Sequence, residues 1–309
     1  MKKNKYLRLC SLIFLCCIFS IPELMSQNSK LDSLIYSKNL QLLDGTIPMW
    51  YSGQYENRSR ASQSLLENII SHYSCDNKKL YQFKLAVIDS AQWSGFSMPY
   101  GFFFISKGWI IIPADLNFAK FSKLWGYYPF RDDLKSNLSK FSNDPEMLLT
   151  NVLYNFVICH ELGHYYTKHI LNASTYDRWS NEWIASYFAT DCLYTLDKSL
   201  IAAFNVFTST FIKEFTPKHR SITDFNEKYT SVGLQNYVWY HCMFQPMIED
   251  IYSAYKNDFL NLFAAKFPQR KNTKNITHKE YLKILDKLTE GKTTKWIKIM
   301  EGSINLNQK

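Results

Sequence analysis

Residues 159–164 read Cys-His-Glu-Leu-Gly-His. On a helix, His160 and His164 at i and i+4 project from one face a turn apart, so their imidazole nitrogens can converge on one ion. Glu161 then stands beside that ion, where a carboxylate can take a proton from an attacking water and return it to a leaving amine. A catalytic zinc site of this kind takes a third protein ligand and keeps its fourth position open. The downstream candidates are Glu182 and Asp191. Glu182 is the better one, because Ala185 and Ala189 follow at i+3 and i+7 and leave a small face on which two helices can approach closely. The implied cofactor is one Zn2+ per chain. An oxyanion formed during peptide attack needs a donor besides the metal. The candidates are His241, taken here as the second catalytic residue, and as alternatives Tyr240 and His219. His72 and His278 read as structural, and His169 as a buttress of the metal helix that does not ligate.

These residues require helices late in the chain. Asp144 is a good N-cap, Pro145 suits the first helical position and Glu146 complements the dipole, so a helix is expected from there to about 169. Further helices are expected at about 180–196, 202–215, 232–263 and 278–288. Upstream, residues 28–73 read as mainly helical, whereas 83–88 and 102–112 are apolar runs with β-branched residues and read as strands. The turn-rich stretch 94–101 links them.

The 309 residues are 46% hydrophobic, 17% aromatic and 20% charged. That composition excludes a disordered, collagenous or coiled-coil chain and requires a core. Lys2, Lys3, Lys5 and Arg8 precede an apolar run from Leu9 to Ile21, ended by Pro22. The run is short for a membrane span and suits a secretory signal cleaved after Ser26, with an uncleaved anchor as the alternative. The expected organisation is a leader over 1–26, one domain over 27–265 and a basic helical segment over 266–309 packed on it. The expected location is outside the cytoplasm, in a periplasm or secreted. Cys75, Cys159, Cys192 and Cys242 remain after the leader, contain no CxxC spacing and read as small buried apolar residues. Part of the formal charge of +9 lies beyond Lys266, a surface for peripheral contact with an anionic membrane. The expected partner is a polypeptide substrate. A nucleic-acid partner is not expected, since no binding motif is present.

The pattern His160-Glu161-x-x-His164 followed by Glu182-x-x-Ala185-x-x-x-Ala189 resembles the minigluzincin metallopeptidases, which include the HtpX-type and CAAX-protease-type families. Upstream, Val87-Ile88-Asp89-Ser90 and then Ser94 to Trp109 resemble the family's strand, its turn and its edge strand. The layout is shared more distantly by phage-exclusion Lit-type peptidases. The resemblance implies zinc on His160, His164 and Glu182, with Glu161 as general base. It also implies that Tyr100, Gly101, Phe102 and Phe103 belong to a strand beside which a peptide substrate lies, as in strand addition. The implied fold is α+β: a mostly helical, zincin-like metallopeptidase domain with a small antiparallel sheet whose edge strand lines the active-site cleft. Two departures stand out. Ser186 occupies a position where the family has Asp or Asn, and Gln245-Pro246…Asp250-Ile251 keeps only part of a later element. The expected function is therefore an exported zinc-dependent endopeptidase acting on extended or unfolded polypeptide. These departures also leave open a metal-containing binding or chaperone-like protein that does not cut.

Overall fold

The computed structural model describes residues 28–73, 83–96, 101, 103–105, 108–115, 132–229, 231–269 and 276–303. The chain forms two compact units, residues 1–124 and 125–309.

The first unit is built on a five-stranded sheet ordered β1-β2-β3-β5-β4. Its strands are β1 (Leu40–Leu43), β2 (Met49–Ser52), β3 (Lys84–Ile88), β4 (Phe103–Ile105) and β5 (Trp109–Pro113). β1 and β2 form an antiparallel pair, as do β4 and β5, whereas β2–β3 and β3–β5 are parallel. The sheet is therefore mixed rather than antiparallel, because helix α2 (Glu56–Tyr73) intervenes between β2 and β3 and returns the chain in the same direction. Interior strand β5 is buried throughout and reads Trp-Ile-Ile-Ile-Pro, as a strand covered on both faces should. Helix α1 (Asn28–Ser37) packs Ile35 against Ala86, Ile88, Trp109 and Ile111 and is tied down where Trp109 Nε1 donates to Asp32 (2.7 Å). The run expected over 102–112 is two strands, with Gly108 at φ 90° just before β5, a conformation glycine adopts at little cost. The expectation that 28–73 is mainly helical needs correction for 40–52, which supplies β1 and β2.

The second unit is helical among the described residues. It contains α3 (Asp132–Leu138), α4 (Pro145–Tyr165), α5 (Arg178–Leu196), α6 (Lys198–Glu214), α7 (Ile222–Glu227), α8 (Leu234–Tyr255), α9 (Asp258–Lys266), α10 (His278–Leu288) and α11 (Lys292–Met300). Asp144 caps α4 as expected, accepting from Met147 N, and the helix widens into a π-helical turn over Tyr166–Ile170. Asp177 caps α5 in a reciprocal pair with Ser180. Helices α4 and α5 are buried on most of their faces. They meet where Gly163 faces Ala185: a Cβ on Gly163 would lie 2.8 Å from the Ala185 carbonyl oxygen and 3.2 Å from Phe188 Cβ. The small residue expected at Ala185 is thus part of what admits α4. The basic C-terminal helices pack on this unit, and Trp296 Nε1 donates to the Met243 carbonyl of α8 (2.6 Å).

Both units together make the chain α+β and mostly helical, as expected. The expectation of an exported protein held by its N-terminal apolar segment is withdrawn. Among the described residues no helix is long and apolar enough to cross a membrane, and residues 1–27, on which the expectation fell, lie outside them.

Candidate metal centre

α4 carries His160 and His164 on one face, their rings 4.7 Å apart and nearly perpendicular. α5 brings Glu182 against them. His160 Nε2 lies 3.1 Å from Glu182 Oε2, His164 Nε2 lies 3.1 Å from His160 Nε2, and His164 Nε2 lies 3.7 Å from Glu182 Oε2. Four ligands arranged tetrahedrally at bond lengths of about 2.0–2.1 Å are separated from one another by about 3.3–3.4 Å. The three observed separations bracket that value. All three side chains are buried, and together they can hold a metal ion.

Ser186, one turn along α5 from Glu182, gives its only hydroxyl proton to the Glu182 carbonyl (2.8 Å) and therefore can only accept from His160 Nδ1 (3.2 Å). That fixes the proton of neutral His160 on Nδ1 and turns the bare Nε2 toward Glu182 Oε2 and His164 Nε2. Either the ring proton of His164 or a metal ion can then lie among these three atoms. Ser186 thus orients the His160 ring from within α5.

The local electrostatics agree. Burial holds His164 down to about 4, and Glu182 only partly offsets it. For His160, burial also favours the neutral ring, but the hydrogen bond and charge of Glu182 outweigh it and raise the pKa. Glu182 is lowered to about 2: burial opposes ionisation, and the surrounding His164, His160 and His241 overcome it.

Glu161 is buried on α4, and its charge acts on His160. His241, on α8, places Nε2 3.8 Å from Glu182 Oε2, and that nitrogen is buried with no hydrogen-bond partner. Its ring lies 5.5 Å from that of His160, and burial lowers its pKa to about 3, so it is neutral. The alternatives to His241 point elsewhere: the Tyr240 hydroxyl donates to Ser221 O (2.9 Å), and His219 Nδ1 pairs with Asp224 (3.7 Å). Asp191 is buried but engages Tyr252, and it is outside the ligand cluster. His169 lies against Tyr165 (ring centroids 4.9 Å) in the π-helical turn, His72 against Tyr73 (5.1 Å), and His278 pairs with Asp177 (3.4 Å).

Two residues that the sequence reading passed over enter the site. The Tyr229 hydroxyl donates to Glu182 Oε1 (3.1 Å), and the Tyr237 hydroxyl lies 3.2 Å from that of Tyr229 and 3.4 Å from Glu182 Oε2. Tyr237 precedes His241 by one helical turn, a spacing that could have flagged it.

Of the expected substrate strand, Tyr100 and Phe102 lie outside the described residues. Gly101 is buried, and Phe103 begins β4 at an edge of the sheet. Among the described residues Cys159, Cys192 and Cys242 are buried and form no disulfide, and burial pushes Cys242 far up; Cys75 lies outside them. Comparison with known proteins gives no match: no family model, no curated protein and no solved structure is significantly similar to the chain.

Proposed function

We propose that the chain is a zinc-dependent metallopeptidase of minigluzincin type, an endopeptidase that hydrolyses extended or unfolded polypeptide. The single observation that carries this reading is the buried convergence of His160 Nε2, His164 Nε2 and Glu182 Oε2 with Glu161 next to the first ligand on the same helix. Two imidazoles and one carboxylate are a donor set of catalytic zinc sites, which keep a fourth position open. Bound there, zinc supplies Lewis-acid polarisation of the scissile carbonyl and acidifies water. Glu161 accepts the proton of the attacking water on a carboxylate oxygen and then delivers it to the leaving amide nitrogen. His241, buried, neutral and without a partner at Nε2, donates a hydrogen bond to the oxyanion. Ser186 keeps the His160 proton on Nδ1 and so keeps Nε2 available as a ligand.

The test is Glu161→Gln beside wild type, each loaded with zinc and offered an unfolded polypeptide. The expected result is unchanged metal content with cleavage reduced by about 10²–10⁴-fold, the usual worth of a general base. Equal turnover in both proteins would remove Glu161 from the mechanism. Metal retention with no cleavage even by wild type, under conditions where a comparable peptidase cuts, would favour a metal-containing binding protein instead.

A further inference from the structure

Glu182 is unusual among the proposed ligands because a separate part of the fold is built around the oxygen that faces away from the histidines. Asn226, at the end of α7, uses both ends of its amide to dock on the start of α5: Oδ1 accepts from Trp179 N (3.1 Å), and Nδ2 donates to Asp177 (2.8 Å). Asp177 is itself the α5 cap. The chain beyond α7 then places Tyr229 over the next turn of α5, where Glu182 lies. Its ring is fixed edge-on by Phe225 (centroids 5.1 Å) and Tyr237 (5.4 Å) and faces the Arg178 guanidinium (5.1 Å). Both phenols are buried.

Each phenol carries one proton. Tyr229 spends its proton on Glu182 Oε1, so toward Tyr237 at 3.2 Å it can only accept. The one proton of Tyr237 is within reach of both the Tyr229 oxygen and Glu182 Oε2 (3.4 Å), so the two phenols brace the carboxylate together. Oε2 is then the carboxylate oxygen turned to His160, His164 and His241.

We infer that Tyr229, backed by Tyr237, is a positioning residue that holds Glu182 to one-oxygen coordination of the metal and thereby keeps the fourth coordination position open for substrate. This rests on the metallopeptidase reading of the site, to which it adds the element that decides how the carboxylate binds. Without the Tyr229 hydroxyl, Oε1 loses its hydrogen bond in a buried setting and turns to the cation, so that Glu182 competes for the position water and substrate need.

The experiment compares wild type, Tyr229→Phe, Tyr237→Phe and the double variant, with Tyr240→Phe as control because Tyr240 shares α8 with Tyr237 but its hydroxyl binds Ser221 O instead. Zinc affinity is measured by competition with a chromophoric chelator, and coordination by visible absorption of the cobalt-substituted proteins. Partners of this kind typically set metal affinity by about 10–100-fold. The expected result is about 10-fold weaker zinc binding in Tyr229→Phe, a smaller loss in Tyr237→Phe and none in Tyr240→Phe. Cobalt Tyr229→Phe should also lose the intense bands of four-coordinate metal for the weaker ones of a higher coordination number. Wild-type affinity and an unchanged cobalt spectrum in both Tyr229→Phe and the double variant would overturn the inference while leaving the metal site intact. A wild type that binds neither metal would overturn the metallopeptidase reading and this inference with it. Should Tyr229→Phe fail to fold, Tyr237→Phe decides, and a zinc affinity and cobalt spectrum equal to wild type there would count against the inference.

Discussion

Helix α5 carries buried polar residues at Glu182, Ser186 and Thr190, one turn apart, and the two ends of this row behave differently. At the far end the network closes on itself. Thr190 donates to Gln245 Oε1 (3.0 Å), Gln245 Nε2 donates to Glu249 Oε1 (2.9 Å), Asn205 Nδ2 donates to the same oxygen (3.0 Å), and Tyr194 donates to Glu249 Oε2 (2.6 Å). Every acceptor there has a proton. At the near end the bare Nε2 of His160, the Nε2 of His164 and Oε2 of Glu182 face one another, and a buried nitrogen of His241 has no partner. Both groups are polar seams in the same helical unit. A seam that closes in its own hydrogen bonds serves packing, whereas one whose ring nitrogens and carboxylate oxygen converge on a point can hold a cation.

The contrast can be broken in order of expected effect. Gly163→Ala should act most strongly on stability, since the new Cβ meets backbone at Ala185 rather than a side chain that can turn away. The expected cost is about 3 kcal/mol, near the top of the range for overpacking, with weaker metal binding as α4 and α5 are forced apart. Denaturant unfolding and metal titration of the same sample check both. Glu249→Ala should cost about 2 kcal/mol by leaving several donors unpaired, yet leave metal stoichiometry unchanged. Loss of metal in that variant would mean the two seams are coupled. Ser186→Ala should leave the fold nearly intact and weaken zinc by about 10-fold, because His160 loses the acceptor that fixes its tautomer.

The smallest effect is on pH dependence without metal. Burial lowers His164 to about 4 and His241 to about 3, against an ordinary value of 6.5. Between those limits the folded chain binds fewer protons than the unfolded one, so stability falls as pH drops from about 6.5 toward 4. Glu182, lowered to about 2, adds a loss that begins near its ordinary value of 4.5 and continues down to about 2, while the raised His160 opposes the trend at the upper end. Thermal unfolding with chelator should give a lower midpoint at pH 5 than at pH 7, and a rise would contradict the assignment of neutral, buried histidines.

What could be read from the residues was what depends on local period. The i, i+4 histidines, the Asp144 cap and the small face of α5 are properties of single helices, and α10 runs over His278–Leu288 as expected. The approach of Glu182 to the two histidines could be read because a small face lets the helices close. Strands β1 and β2 were missed although Asp44-Gly45 between Leu40–Leu43 and Met49–Ser52 is a hairpin signal. Strands of four residues leave little alternation to see. The sheet's mixed order depends on pairing across the α2 crossover, which no local pattern carries. Tyr229 and Tyr237 reach Glu182 from about 50 positions away by packing of α7 and α8, and only the one-turn spacing of Tyr237 and His241 hinted at a shared face.

His160, His164 and Glu182 are proposed to bind one catalytic metal ion. Metal content by elemental mass spectrometry, on wild type beside Glu182→Ala, both purified without added metal or chelator, tests this most directly. The account expects about one zinc per wild-type chain and a strong loss in the variant. Stoichiometric zinc in both would contradict Glu182 as the third ligand, and no bound metal in either would contradict the metal centre itself.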